Sequence, residues 1–213
     1  KELGGHERAV GLASDLTDPA TAERLTAAAI ARFGRLDGCL ISSGGPPAGS
    51  AMNVTDDEWR TAFESVFLGP LRVAKAAAAA MEPHPGDVSG TCGSIVFVLS
   101  TSARVPLPSM AISNGIRPGL AAAVKDLADS LGQRGIRVNG LMPGRIATDR
   151  VFALDARNGS PERTRIKAEA GIPLGRYGEP EEFAKAAGFL LSPMASYITG
   201  AVIPVDGGST PAW

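Results

Sequence analysis

Five short apolar runs punctuate the chain: AVGLA (9–13), GCLIS (38–42), SIVFVLS (94–100), IRVNGLM (136–142) and AVIPVDGG (201–208). Each is bounded by polar or glycine-rich residues. Their apolar positions run on instead of alternating, as in strands buried on both faces. Between them the period lengthens to that of a helix. A first helix is predicted from Asp18 or Thr21 to Phe33, stopped at Gly34. Thr55 and Glu58 form a capping box that opens a long helix towards Met81. A second long helix covers Met110 to Leu131, and EPEEFAKAAGFLLS (179–192) forms another, with Pro180 in its first turn. Strand and helix alternate throughout, which predicts an α/β fold with a parallel sheet covered by helices on both faces. Such a sheet takes its ligand beyond the carboxyl ends of the strands. Those ends are Ser14-Asp15, Ser42 to Gly45, Ser100 to Ser102 and Pro143-Gly144.

The loops richest in Gly, Pro and Ser are 43–50 and 83–93, and 144–175 is the longest segment without clear order. The last two are expected to be surface flaps. Nothing marks a domain boundary, so residues 1–213 are read as one domain, long enough to bury a core without staples. The chain opens on Lys1, and KELGG reads as the tail of a helix with a glycine stop, so the sequence enters mid-fold.

Charge and composition narrow the function classes. Lys and Arg number 21 against 22 Asp and Glu, and no basic run exceeds two residues. This argues against a nucleic-acid or anionic-membrane partner and leaves a small-molecule ligand. Two cysteines, Cys39 and Cys92, and two isolated histidines, His6 and His84, form no metal-binding pattern and no disulfide framework. That usage suits the reducing cytoplasm. No 18-residue apolar span and no signal peptide are present in these residues.

The strand ends carry a resemblance. ASDLTD (13–18), FGRLDGCLISSGG (33–45), GSIVFVLS (93–100), GIRVNGLMPGRIATD (135–149), PLGRYGEPEEFA (173–184) and YITGAVIPVDGG (197–208) together resemble the short-chain dehydrogenase/reductase family, in the right order and over nearly the whole chain. The resemblance implies a Rossmann-like doubly wound parallel sheet and a NAD or NADP cofactor. It implies that Asp15, with Leu16 beside it, holds the adenine. It puts Ser42-Ser43-Gly44 where the family has Asn-Ala-Gly, close to the cofactor, and Pro143, Gly144, Ile146 and Thr148 around the nicotinamide.

Two departures follow. The family's first strand, its glycine-rich turn and its second strand would precede Lys1, so the expected sheet lacks its first two strands. That turn normally seats the pyrophosphate on a helix N-terminus. The family's serine, tyrosine, lysine and asparagine are also depleted. Ser100 matches the serine, whereas Met110 falls at the tyrosine, Asn114 at the lysine and Val66 at the asparagine. A thioether has no proton to give, and neither valine nor an amide replaces a tunable acid. No detectable hydride transfer is expected of the chain as it stands.

Helical spacing puts Met110, Ser113 or Asn114, and Arg117 on one face. Arg117 restores a positive charge one turn beyond the lost lysine, able to hold a carboxylate but not to shuttle protons; a paired interface arginine is the plainer alternative. Pro118 and Pro70 cannot donate to the carbonyls of Asn114 and Val66 and so free backbone acceptors, unless they merely bend their helices around the core. Ser100, Thr101 and Ser113 have no histidine nearby in sequence and no G-x-S-x-G elbow, which disfavours a hydrolase. Alanines 76–80 and 121–123 on the long helices suit a homodimer or homotetramer, or helix propensity alone. Two functions therefore stand: an oxidoreductase of this family with a degenerate catalytic set, or a scaffold turned to cofactor-free isomerase, lyase, cyclase or binding work.

Overall fold

The structure is a computed structural model that describes residues 5, 7–83, 90–156 and 159–211. The helix tail read in KELGG and both histidines lie outside these residues, Gly5 apart.

Helix α1 (Thr21–Phe33) ends where Gly34 turns left-handed at φ 80° and returns its N–H to the carbonyl of Ile30. Strand β1 (Gly38–Ile41) follows. Helix α2 (Asp56–Phe63) opens on the capping box: Thr55 Oγ1 accepts from Glu58 N at 3.2 Å, and the Glu58 carboxylate accepts from Thr55 N at 2.8 Å. A π-helical turn (Glu64–Leu68) joins it to α3 (Gly69–Ala80), with Gly69 N–H reaching back to Glu64. Pro70, which has no N–H, sits where that wider turn already breaks the regular ladder. The rest comprises β2 (Gly93–Val98), α4 (Ala111–Leu131) with Pro118 inside it, β3 (Ile136–Pro143), α5 (Asp149–Ala156), α6 (Pro161–Glu169), α7 (Pro180–Leu191) and β4 (Val202–Val205).

The four strands lie in the order β1-β2-β3-β4, all parallel. Successive residues of β2 point to opposite faces and are buried on both. Ile95 and Phe97 join Val138 and Met142 in a core covered by α1, α3 and α4 through Ala22, Ala74, Ala77, Leu120 and Val124. Val96 and Leu141 face the other way, against Ala187 and Leu190 of α7. Ala74 and Ala77 have no exposed surface, so the alanine-rich stretch of α3 lets the helix lie close to the sheet.

Two expectations fail. AVGLA forms no strand, and Val10 and Leu12 are about half exposed. A strand needs a neighbour to take its N–H and C=O groups, and β1 pairs only with β2 among the described residues. The outer edge of β1 stays open there, with Leu40 47% exposed. The segment 144–175 is not without order: it folds into α5 and α6, whose weak amphipathicity hides them in the sequence. No described helix is long and apolar enough to cross a membrane.

Candidate functional site

The parallel sheet brings the carboxyl ends of its strands to one edge, and Arg117 of α4 ties two of them together. It is buried, donating Nη1 to the carbonyl of Val98 at the end of β2 (3.0 Å) and Nη2 to that of Gly44 after β1 (3.3 Å). Its Nε is buried without a partner among the described residues. Burial, and secondarily the charge of Arg150, push its pKa down to about 10.

One turn earlier on the same helix, Ser113 Oγ meets Ser102 Oγ at 2.8 Å, and both side chains are buried. Ser100 adopts extended backbone at the end of β2, and its Oγ accepts from Ser102 N at 3.2 Å. Three hydroxyls thus lie in sequence from the half-buried Ser100 to the buried Ser113. The Ser100 O–H makes no hydrogen bond among the described residues.

The other residues singled out in the sequence divide sharply. Met110 caps α4, and residues on either side of it close a bridge with Gly49: Gly49 N donates to Ser109 O and Ala111 N to Gly49 O. Ser109 takes φ 56° there, a strained conformation for a side chain with a Cβ. Asn114 folds back on Leu107, accepting its N–H and donating to its carbonyl, both at 2.9 Å. Val66 packs with Ala62, Ile112 and Ile116. These three positions staple and fill the structure and are not joined to the serine cluster.

Of the residues expected on the cofactor side, Asp15 and Leu16 follow a segment that forms no strand, and the others lie at the ends of β1 and β3. Asp15 Oδ1 accepts from Thr17 N at 2.8 Å, and that hydrogen bond lowers its pKa below the usual carboxylate range. Leu16 backs onto Gly69, where an added Cβ would lie 2.5 Å from the Leu16 carbonyl. Ser42 and Gly44 are exposed, with open space where a Cβ of Gly44 would point. Pro143 ends β3; Gly144 donates to Val205 O at 3.1 Å; Ile146 bridges to Gly178; and Thr148 Oγ1 donates to Ile146 O at 3.3 Å.

Sequence reasoning missed two groups. Asp155 of α5 is buried, paired with Arg145 and accepting from Tyr177 OH at 2.8 Å, which pins α5 to the loop before α7. Nothing in the sequence announces that burial. Arg150 lays its guanidinium over Gly45, and its Nη2 donates to Pro46 O at 3.4 Å. A signal for it exists: a cation in the first turn of α5 opposes the helix dipole and wants a reason.

A family model described as enoyl-(acyl carrier protein) reductase matches residues 1–210. The chain belongs to the short-chain dehydrogenase/reductase family. It is 33% identical over 202 residues to an L-rhamnose 1-dehydrogenase (NAD(P)(+)) of Sphingomonas sp., covering 95% of this chain and 76% of that protein. It is 34% identical over 198 residues to a 3-oxoacyl-[acyl-carrier-protein] reductase of Salmonella typhimurium, covering 93% and 76%. Among solved structures it is similar to YwfH, an NADPH-dependent reductase involved in bacilysin biosynthesis, with TM-score 0.87, 28% identity and coverage of 95% and 78%. This family of oxidoreductases has NAD(P)-dependent members, and the strand-end residues here fit such a group in kind. The exposed Asp15 carboxylate and the open, exposed backbone at Ser42 and Gly44 offer an acceptor and room to a hydroxyl- and phosphate-bearing ligand.

Proposed function

We propose that this protein moves hydride between NAD(P)(H) and a carbonyl or alcohol of a small molecule, with a hydroxyl cluster in place of the family's tyrosine and lysine. The observation that carries the reading is the buried Ser102–Ser113 pair one turn from Arg117 and beside Ser100. Ser113 and Arg117 stand four residues apart on α4, as do Met110 and Asn114; the buried hydroxyl pair and the buried guanidinium favour the first two for the places of the family's tyrosine and lysine. Asp15, Leu16, Ser42, Gly44, Pro143, Gly144, Ile146 and Thr148 would hold the dinucleotide, which when reduced supplies the hydride.

The chain's own residues have three tasks. Ser100 donates its O–H to the substrate oxygen. Ser113 gives that oxygen a proton as the carbon–oxygen π electrons collapse onto it, and Ser102 and then water replace the proton. Arg117 fixes a positive charge near the developing negative oxygen. No hydroxyl here has a pKa near neutrality, so proton delivery is slow and the turnover low. A small-molecule substrate without nucleic-acid or membrane contact, and a homodimer or homotetramer, belong to the same proposal.

A second reading is favoured by one observation: no ionisable acid hydrogen-bonds to the serine cluster among the described residues. On that reading the scaffold serves cofactor-free isomerase, lyase, cyclase or binding work. Titration with NADH and NADPH by fluorescence quenching and calorimetry separates the two. Micromolar binding, with slow carbonyl-dependent oxidation of the dinucleotide lost in Ser113→Ala, supports the first. Absence of binding at millimolar concentration rejects it.

A further inference from the structure

Arg24, Arg35, Arg60, Arg72, Arg145, Arg165 and Arg176 each lie within ion-pair distance of a carboxylate. Arg117 and Arg150 do not, among the described residues, although both reach the same three-residue stretch of backbone. Arg117 bonds the carbonyl of Gly44; Arg150 covers Gly45, with an added Cβ there falling 2.0 Å from its Nη2, and bonds the carbonyl of Pro46. The two cations are close enough for Arg150 to lower the pKa of Arg117.

This arrangement is electrostatically unfavourable as it stands. Arg117 is 4% exposed, and only two of its N–H donors are used. A guanidinium has about five. Arg150 adds a second like charge in the first turn of α5, whose positive dipole end is offset by the neighbouring Asp149. Carbonyl oxygens hold the side chains in place but cancel no net charge. An anion does, and guanidinium groups match the oxygens of a carboxylate or phosphate.

We propose that Arg117 and Arg150 seat a carboxylate carried by the substrate, so that the compound handled here is an oxo acid and not a neutral aldehyde or ketone. The substrate's identity as a carbonyl compound rests on the function proposed above; the anion seat does not. Ser113 lies one turn before Arg117 on α4, so a carboxylate on the arginines leaves the neighbouring carbonyl beside the hydroxyl cluster. The phosphate of a dinucleotide has the same chemistry, and the experiment separates the two sources.

Acetoacetate and its uncharged methyl ester are titrated into the full chain at low salt, without dinucleotide, following arginine Nε–H resonances by NMR. Acetoacetate shifts the Arg117 and Arg150 signals and the ester does not. Arg150→Gln weakens acetoacetate binding about tenfold, the scale of one lost charge-assisted hydrogen bond. Arg163→Gln, on the exposed face of α6, leaves it unchanged. Should Arg117→Met unfold, the Arg117 Nε signal in the unmodified chain still decides the matter. Equal shifts with acid and ester overturn the proposal. So does displacement of acetoacetate by inorganic pyrophosphate or NADPH with the same two signals shifting, which would give the seat to the dinucleotide. Binding of acetoacetate without any binding of NADPH keeps the seat and rejects the proposed hydride transfer.

Discussion

Arg117 and Arg137 are buried to nearly the same degree, 4% and 6% exposed, and each donates to two backbone carbonyls while its Nε finds no partner among the described residues. Burial lowers the pKa of both. What differs is the neighbourhood. Arg137, near the start of β3, clasps Ile198 and Ser192, and Asn139 of the same strand bonds Ile198 O at 2.9 Å and Ala201 N at 3.1 Å. Among the described residues no second cation lowers its pKa. Arg117, at the other end of the sheet, faces an exposed glycine loop and a second arginine. One buried guanidinium thus serves as a peg between segments. The other is a buried charge beside an exposed loop. Burial alone does not tell them apart; the sign of the neighbouring charge and the access to solvent do.

Arg137→Met tests the peg and should have the largest effect. The carbonyl of Ser192 loses its donor and that of Ile198 keeps only Asn139, for about 2 kcal/mol of stability, read by urea unfolding, with acetoacetate binding retained if the protein folds. Asn114→Ala removes both bonds to Leu107 and should cost about 1–2 kcal/mol. If Asn114 instead stood in for a catalytic lysine, activity would fall well beyond what that loss of stability accounts for. Arg117→Met should cost only about 1 kcal/mol, since water can reach the exposed Gly44 loop, while anion binding disappears. A stability loss as large as that of Arg137→Met would erase the distinction drawn above.

The smallest effect comes from a third kind of arginine, exposed and paired. Arg176 bonds both oxygens of Glu182 at 2.7 and 2.8 Å, and that pairing, with the N–H of Glu179, pulls the Glu182 pKa from 4.5 to about 2. The folded pKa is the lower one, so the contribution is complete above about 4.5 and fades as the pH falls towards 2. Melting curves between those limits should drop more steeply for the unmodified chain than for Glu182→Gln.

Much of this was legible in the sequence. Continuous apolar runs, helical spacing, the Thr55–Glu58 box and the stop at Gly34 located α1, α2 with α3, α4, α7 and every strand of the observed sheet, because each signal is local. AVGLA misled for the same reason: its composition suits a strand, but pairing depends on a neighbour that composition does not describe. At the site, the resemblance singled out Ser100 and helical spacing singled out Arg117, which the structure sets near the end of β2. Met110 and Asn114 looked equivalent on a helical wheel, yet the helix begins only at Ala111, and Asn114 spends its amide on the preceding loop. Arg150 escaped notice because its proximity to Gly45 joins segments about a hundred positions apart.

Gly69 lies at the seam between the π turn and α3, with room for nothing larger than hydrogen before the carbonyl of Leu16. A methyl group placed there becomes a wedge. It would push the turn bearing Asp15 outward while leaving Arg117 and its serines untouched, so the two ends of the proposed dinucleotide site can be mistuned one at a time.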